Sequence, residues 1–248
     1  MALYDFAAPR LFVDAPLAAR GRVPLDRAQA NYLLNVLRSK AGDSVLVFNG
    51  RDGEWRAEIA VEGRKAADLT PVELMRAQTP ALDLIYLFAP LKHARLDYMV
   101  QKAVEMGAGA LKPVFTRRTQ ASRVNLERMR ANTVEAAEQC GILSLPTILP
   151  EEDFGKALAA LEPDRLVIFA DEDAPSSDPI AALQEMRGTS AKLAVLVGPE
   201  GGFTDDERVQ ILARPAVVRL SLGPRILRAD TAAVAVLALV QATLGDCR

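Results

Sequence analysis

From Leu82 onward, five short apolar runs alternate with segments whose apolar residues recur at helical spacing. The runs are Leu82–Phe88, Leu111–Phe115, Arg165–Ala170, Leu193–Val197 and Ala216–Leu220. Between them lie Arg95–Met106, Leu126–Cys140, Ile180–Arg187 and Thr204–Ala213, and a last apolar segment follows Arg228. Short runs without polar alternation read as strands buried on both faces, and such strands belong to parallel sheets covered by helices. The alternation therefore predicts an α/β fold built on a parallel sheet. Leu96, Met99, Val100, Ala103 and Val104 place one apolar stripe on the first helix. Thr204, with Glu207 three residues on, predicts a capping box.

The first third reads differently. Arg10–Val13, Ser44–Phe48, Glu54–Val61 and Ala67–Leu74 have strand character, and Asn49-Gly50 and Asp52-Gly53 are hairpin turn signals. Leu25–Leu37 has helical spacing with Asp26 as N-cap. These pieces predict a small β-barrel or sandwich over residues 1–74. Met75–Ala81 holds Gln78-Thr79-Pro80 and no periodicity, and reads as a linker to a second domain over residues 82–248.

One histidine, His93, and two distant cysteines, Cys140 and Cys247, leave no material for a His/Cys metal site or a disulfide scaffold. No metal is expected, and the cysteine usage suits a reducing cytoplasm. Met1–Phe6 carries no signal-peptide pattern. The longest uncharged run, Thr231–Gly245, is shorter than the roughly 20 residues a membrane helix needs. It reads as a buried helix whose apolar circumference calls for a partner surface, and no membrane is expected. His93 follows Lys92 in a loop, with no nucleophile motif beside it, and reads as exposed.

The formal charge of −2 hides an uneven distribution. Residues 92–130 hold nine Lys+Arg and three acids, or +6, whereas residues 151–178 hold nine acids and two bases, or −7. A polyanion feels the local potential, so the basic segment is compatible with RNA.

Two loops combine strand ends, glycines and helix starts. The first is Leu196-Val197-Gly198-Pro199-Glu200-Gly201-Gly202-Phe203-Thr204. In open parallel sheets ligands bind at the carboxyl ends of strands, and glycines let the backbone approach them. A tight turn without ligand fits this loop equally well. It has neither the dinucleotide fingerprint nor a P-loop lysine. The second loop, Leu220–Thr231, carries Gly223-Pro224, then Arg225 and Arg228 ahead of the apolar helix. Cations beside a buried helix need partners, which makes a pocket between the two loops a reasonable expectation.

Leu196–Phe203 and Leu220–Ala232 resemble the two signature loops of the ribosomal RNA small-subunit methyltransferase E (RsmE) family of the SPOUT superfamily. Arg10-Leu11-Phe12-Val13, Val36-Leu37-Arg38, Gln101–Gly107 and Glu135–Gly141 resemble further family motifs in the family's order. The resemblance implies a PUA-like β-barrel and an α/β SPOUT methyltransferase domain with a C-terminal trefoil knot. Topology rules alone would argue against the knot. It also implies S-adenosyl-L-methionine as methyl donor, N3 of a uridine in 16S rRNA of the small ribosomal subunit as acceptor, and a homodimer.

Under that resemblance, Gly198, Glu200, Gly201, Gly202, Leu220, Leu222, Gly223 and Leu227 hold the donor. Arg228 supplies a cation to the developing uridine anion. Asp230 accepts the N3 proton or, the preferred role, orients Arg228. Arg10, Arg38, Lys92, Arg117, Arg118 and Arg225 are expected to contact RNA phosphates. The chain departs from the family pattern at Tyr32, Ile142, Ala229 and Asp230, where the family has histidine, arginine, threonine and glutamate. Two alternatives stay open: a SPOUT enzyme acting on another RNA base, and a non-catalytic RNA-binding ribosome-assembly protein.

Overall fold

A computed structural model describes residues 8–62, 66–92, 94–175 and 178–246. His93, Cys247 and the segment Met1–Phe6 lie outside the described residues. The chain divides into two units, Met1–Pro80 with Ala137–Leu145, and Ala81–Ala136 with Pro146–Arg248.

In the first unit, β1 (Arg10–Phe12), β2 (Val23–Pro24), β3 (Ser44–Phe48), β4 (Glu54–Glu62) and β5 (Ala66–Arg76) form one sheet in the order β1-β3-β4-β5-β2. The β1–β3 pair is parallel and the others are antiparallel. The β3–β4 turn is closed by Asn49, whose Oδ1 accepts from the N–H groups of Arg51 and Asp52. Gly53 (φ +82°) ends it, and a Cβ there would lie 2.4 Å from the Arg76 carbonyl oxygen. Val23, Leu33, Val45, Val47, Ile59 and Leu69 form the core.

The single helix expected over Leu25–Leu37 is two pieces. Asp26 caps α1 (Arg27–Asn31) in a capping box with Gln29, and a π-helical turn then spans Tyr32–Val36. The wider turn keeps Leu33 buried and leaves Tyr32, Val36 and Leu37 exposed. Strand β5 runs to Arg76, into the segment read as linker, because Arg76 pairs in register with Glu54 and its guanidinium holds the Glu54 carboxylate at 2.7–2.8 Å.

That carboxylate also explains a correction. Arg10, expected to face RNA, is 6% exposed. Its Nε donates to Glu54 Oε1 at 2.5 Å, and Nη1 and Nη2 donate to the carbonyls of Ala137 and Ile142. Its guanidinium lies 3.7 Å from the Phe48 ring centroid. A buried cation needs such partners, and all its donors point inward. Arg10 therefore holds the first unit together.

In the second unit, β6 (Leu84–Phe88), β7 (Ala110–Phe115), β8 (Thr147–Ile148), β10 (Leu166–Ala170), β11 (Leu193–Val197) and β12 (Val217–Leu220) form a parallel sheet in the order β12-β10-β11-β6-β7-β8. β9 (Glu152–Asp153) pairs with β7. Alternate residues of each strand serve opposite faces. On one face Tyr86, Phe88, Ile168 and Val195 pack with Met99, Val100 and Ala103 of α2 (Ala94–Glu105) and with Val236, Leu237 and Val240 of α7 (Ala229–Thr243). On the other, Leu87, Val167, Phe169 and Leu196 pack with Phe154 and Leu158 of α4 (Phe154–Ala160) and Ile211 of α6 (Asp205–Leu212). The remaining helices are α5 (Pro179–Glu185) and α3 (Leu126–Cys140), whose residues from Ala137 on belong to the first unit.

α4 was not expected from the sequence. Its seven residues are too few for a visible period, although Asp153 caps it by accepting from the Lys156 N–H. The expectation that α7 needs a partner surface for burial is corrected for most of its circumference: eight of its residues are buried within the chain, from Ala229 to Thr243. Among the described residues no helix is long and apolar enough to cross a membrane, and no group of three or more His, Cys, Asp or Glu could hold a metal ion.

Candidate active site

The two glycine-bearing loops leave the carboxyl ends of β11 and β12, and β10 lies between those strands. A cavity of about 270 Å³ opens there. It is lined by Gly198, Glu200, Gly201 and Gly202 of the first loop, and by Leu220, Leu222, Gly223, Arg225 and Leu227 of the second. The structure thus brings together all eight residues expected to hold a donor, with Arg225 beside them.

Local physics shapes the first loop. A Cβ on Gly198 would lie 2.6 Å from the Phe203 ring, so only glycine lets that ring pack under the loop. Gly202 has φ +68°, and its N–H donates to the Pro199 carbonyl at 2.8 Å. Thr204 and Glu207 then start α6 with the expected capping box. Arg118, expected on RNA, instead donates through Nη1 to the Gly201 carbonyl at 2.6 Å and to that of Phe203 at 3.4 Å. That guanidinium fastens the loop from outside.

The end of β10 carries a residue with no motif in the sequence to mark it. Asp171 lines the cavity and its side chain is fully buried. Arg208 reaches both of its carboxylate oxygens at 2.7 and 3.2 Å, and Arg219 Nε donates at 2.6 Å. The Asp171 N–H donates to the Leu220 carbonyl at 2.9 Å. One carboxylate therefore ties β10, β12 and α6 at the cavity wall. In the sequence Asp171 is one of three acids in a row, Asp171-Glu172-Asp173, and nothing local distinguishes it from its neighbours.

The second missed residue is Arg95, in the first turn of α2. Its Nε and Nη2 donate to the two oxygens of Asp230 at 3.0 and 3.1 Å, and its Nη1 donates to Glu200. One guanidinium thus bridges the glycine loop and the first turn of α7. The Arg95 hydrogen bond holds the Asp230 carboxyl below the usual carboxylate range, against the opposing effect of burial. Bonding to Asp230 first, and to Glu200 second, raises Arg95 above its ordinary value. A signal existed: a cation in a helix's first turn meets the positive end of the dipole and calls for an anionic partner. That partner lies 135 residues away.

The expected pairing of Asp230 with Arg228 is therefore corrected. Arg228 is exposed at the N-cap of α7 and makes no side-chain capping bond there. Beneath Asp230, the buried Tyr86 hydroxyl donates to Met99 Sδ at 3.2 Å. Burial first, and the Asp230 charge second, push its pKa far up. Lys92 is exposed on the rim of a neighbouring cavity. Arg117 is exposed, and its backbone N–H donates to Glu207 at 2.8 Å. Arg38 stands exposed in the first unit with φ 58°.

Residues 78–241 match the family model for an RNA methyltransferase domain, and residues 25–72 match that for an RNA methyltransferase PUA domain. The chain is 30% identical over 237 residues to the ribosomal RNA small subunit methyltransferase E of Synechocystis, covering 95% of this chain and 78% of that one. It is 29% identical over 242 residues to the protein of that name from Rickettsia conorii, covering 96% and 97%. The crystal structure of a Neisseria gonorrhoeae ribosomal RNA small subunit methyltransferase E bound to S-adenosyl methionine superposes with a TM-score of 0.84 at 25% identity, over 97% of this chain and all of that one. With both of its regions matched in order and at least 95% of its length shared with each of these relatives, the chain belongs to the ribosomal RNA small subunit methyltransferase E family.

Proposed function

We propose that this protein transfers a methyl group from S-adenosyl-L-methionine to N3 of a uridine in 16S rRNA of the small ribosomal subunit. The observation that carries the reading is the convergence of both family loops on one cavity. The cavity suits the donor: glycine backbone without Cβ atoms on one side, and Leu220, Leu222 and Leu227 as an apolar seat for an adenine ring on the other. When bound, the donor supplies an electrophilic methyl group on a sulfonium.

The residues of the chain do the rest. N3 of uridine must give up its proton, to solvent, before its lone pair can bond to carbon. Arg228, exposed at the N-cap of α7 between the cavity-lining Leu227 and Ala229, supplies the cation for the charge that develops on O2 or O4. Asp230, held ionised by Arg95, is a poor proton acceptor, and its role is to fix Arg95 between the loops. In-line displacement depends on positioning, which the Arg95 bridge and the Asp171 clamp provide.

The reading extends to the rest of the molecule. The first unit serves as a PUA-like RNA-binding barrel, the second as a SPOUT domain whose C-terminal segment is knotted, and the protein works in the cytoplasm. It acts as a homodimer through the part of α7 that its own core leaves uncovered, where Thr231, Ala238 and Ala242 are exposed. Light scattering at micromolar concentration should give about twice 26.8 kDa; a monomer mass would remove the dimer from the proposal.

The test of function is nucleoside mass spectrometry of 16S rRNA from cells with and without the protein, paired with calorimetry using S-adenosyl-L-methionine. The expected result is loss of N3-methyluridine in the deletion and one donor site per chain. Loss of a different methylated base would favour another acceptor. Absence of donor uptake would favour a non-catalytic assembly protein.

A further inference from the structure

A second, larger cavity of about 420 Å³ lies in the same unit, between the loop after β6 and the segment leading into α3. Its floor is apolar, formed by the buried Leu91 and Met129, and its rim carries Lys92, Arg123 and Arg128. Arg128 is already engaged: its Nε and Nη2 donate to Asp97 at 2.8 and 2.5 Å. Lys92 and Arg123 are exposed, and neither side chain has a hydrogen-bonding or ion-pair partner among the described residues. Three cations against Asp97 leave the lining at a formal +2.

A narrow space of about 130 Å³ shares Lys92 and Gln120 with this cavity, and shares Pro199 and Glu200 with the cavity between the glycine loops. The three spaces therefore adjoin one another through shared wall residues. An apolar floor with unpaired cations at the rim suits a ligand that is part flat or hydrophobic and part anionic. A bare inorganic anion would leave Leu91 and Met129 unused, and an apolar molecule would leave both cations unused. Gln120, at the junction, offers an amide donor and an acceptor together, the complement of an imide edge.

We infer that the Lys92–Arg123 cavity seats the RNA nucleotide to be methylated, its phosphate on Lys92 and Arg123, its ribose over Leu91 and Met129, and its base at Gln120. The inference rests on the proposed methyl transfer for the base's destination. It assigns to this unit a nucleotide subsite beyond the donor cavity, and to Arg123 and Gln120 roles that the sequence did not indicate. It also explains why Lys92, alone among the expected phosphate contacts, lines both the basic cavity and the junction.

The test uses the full-length protein and a fluorescent single-stranded RNA decamer containing one 4-thiouridine. Anisotropy without donor is expected to show Kd raised about tenfold by Arg123→Ala and by Lys92→Ala, with the salt dependence shallower by about 0.7 per lost phosphate contact. Lys156→Ala, which removes the same charge from an exposed position outside the cavity, should change Kd less than about twofold. Photocrosslinks should map to the peptides containing Leu91 and Gln120–Asn125. Calorimetry should show donor affinity unchanged in both cavity variants, which also verifies that they fold. The inference is overturned if Arg123→Ala behaves like Lys156→Ala, if crosslinks map elsewhere, or if the wild-type protein binds no RNA. Failure of the wild-type protein to take up the donor or to methylate small-subunit rRNA would instead overturn the proposed reaction. The two RNA readouts need no donor and decide the nucleotide site on their own.

Discussion

Replacing Arg10 by alanine should destabilise the first unit by about 3–5 kcal/mol, the usual cost of removing one partner of a buried ion pair. Glu54 would be left with a side chain 2% exposed and only Arg76, itself 26% exposed, to balance its charge. The carbonyls of Ala137 and Ile142 would each lose a donor, and the Phe48 ring its cation. The measurement is the denaturant midpoint of the full-length protein, followed by a signal from Trp55 in β4, the only tryptophan. A midpoint equal to wild type would show that the cluster adds nothing to stability.

The same cluster sets a pH dependence. Burial pushes the Glu54 carboxyl upward, but hydrogen bonds from Arg76 and then Arg10 outweigh it, and the net value lies below 4.5. A carboxyl depressed in the folded state contributes stability above its unfolded pKa and loses that contribution as pH falls through the folded value. The first unit should therefore hold its stability down to about pH 4.5 and weaken below it. Glu54→Gln should flatten that acid limb while lowering stability at neutral pH.

Replacing Arg228 by alanine should lower kcat for rRNA methylation by about 10²–10³, the cost of losing one donor to a developing oxyanion. Donor affinity should stay within about threefold, because Arg228 does not line the cavity. Arg95→Ala should behave oppositely. It frees Glu200 in the glycine loop and Asp230 at the start of α7, so donor affinity should fall before chemistry does. Single-turnover kinetics with calorimetry separates the two patterns. Near-normal turnover in Arg228→Ala would falsify its assignment as the catalytic cation.

Much of the fold was legible because it follows from local pattern. Ser44–Phe48, Leu126–Cys140 and Leu193–Val197 have the bounds read from periodicity. The caps at Asp26 and Thr204 form as read. Where elements were missed or misjudged, long-range pairing decided them. β5 continues to Arg76 because Glu54 lies opposite. The π turn at Tyr32–Val36 places Leu33 in the core, which helical spacing alone does not foresee.

The donor cavity was legible for a related reason: each loop is continuous in sequence and carries its own glycines and apolar residues. The charged residues were not. Arg10, Arg118, Arg225 and Arg228 look alike in a sequence, yet one is buried on Glu54, one fastens the Gly201 carbonyl, one lines the cavity and one stands exposed at the N-cap of α7. A long cationic side chain takes its role from whichever anion or carbonyl the fold brings within about 3 Å, and for Arg10 and Arg118 those partners, Glu54 and the Gly201 carbonyl, lie 44 and 83 residues away.

The sequence by itself determined the alternation of strands and helices, the two loops and the kind of chemistry they can support, since these depend on neighbours within a few residues. Only the tertiary structure decided that Asp230 belongs to Arg95, that Asp171 clamps the cavity wall, and that Lys92 and Arg123 line one basin near the donor cavity. Electrostatic partners are chosen by distance in space, and distance in space is set when the strand order is.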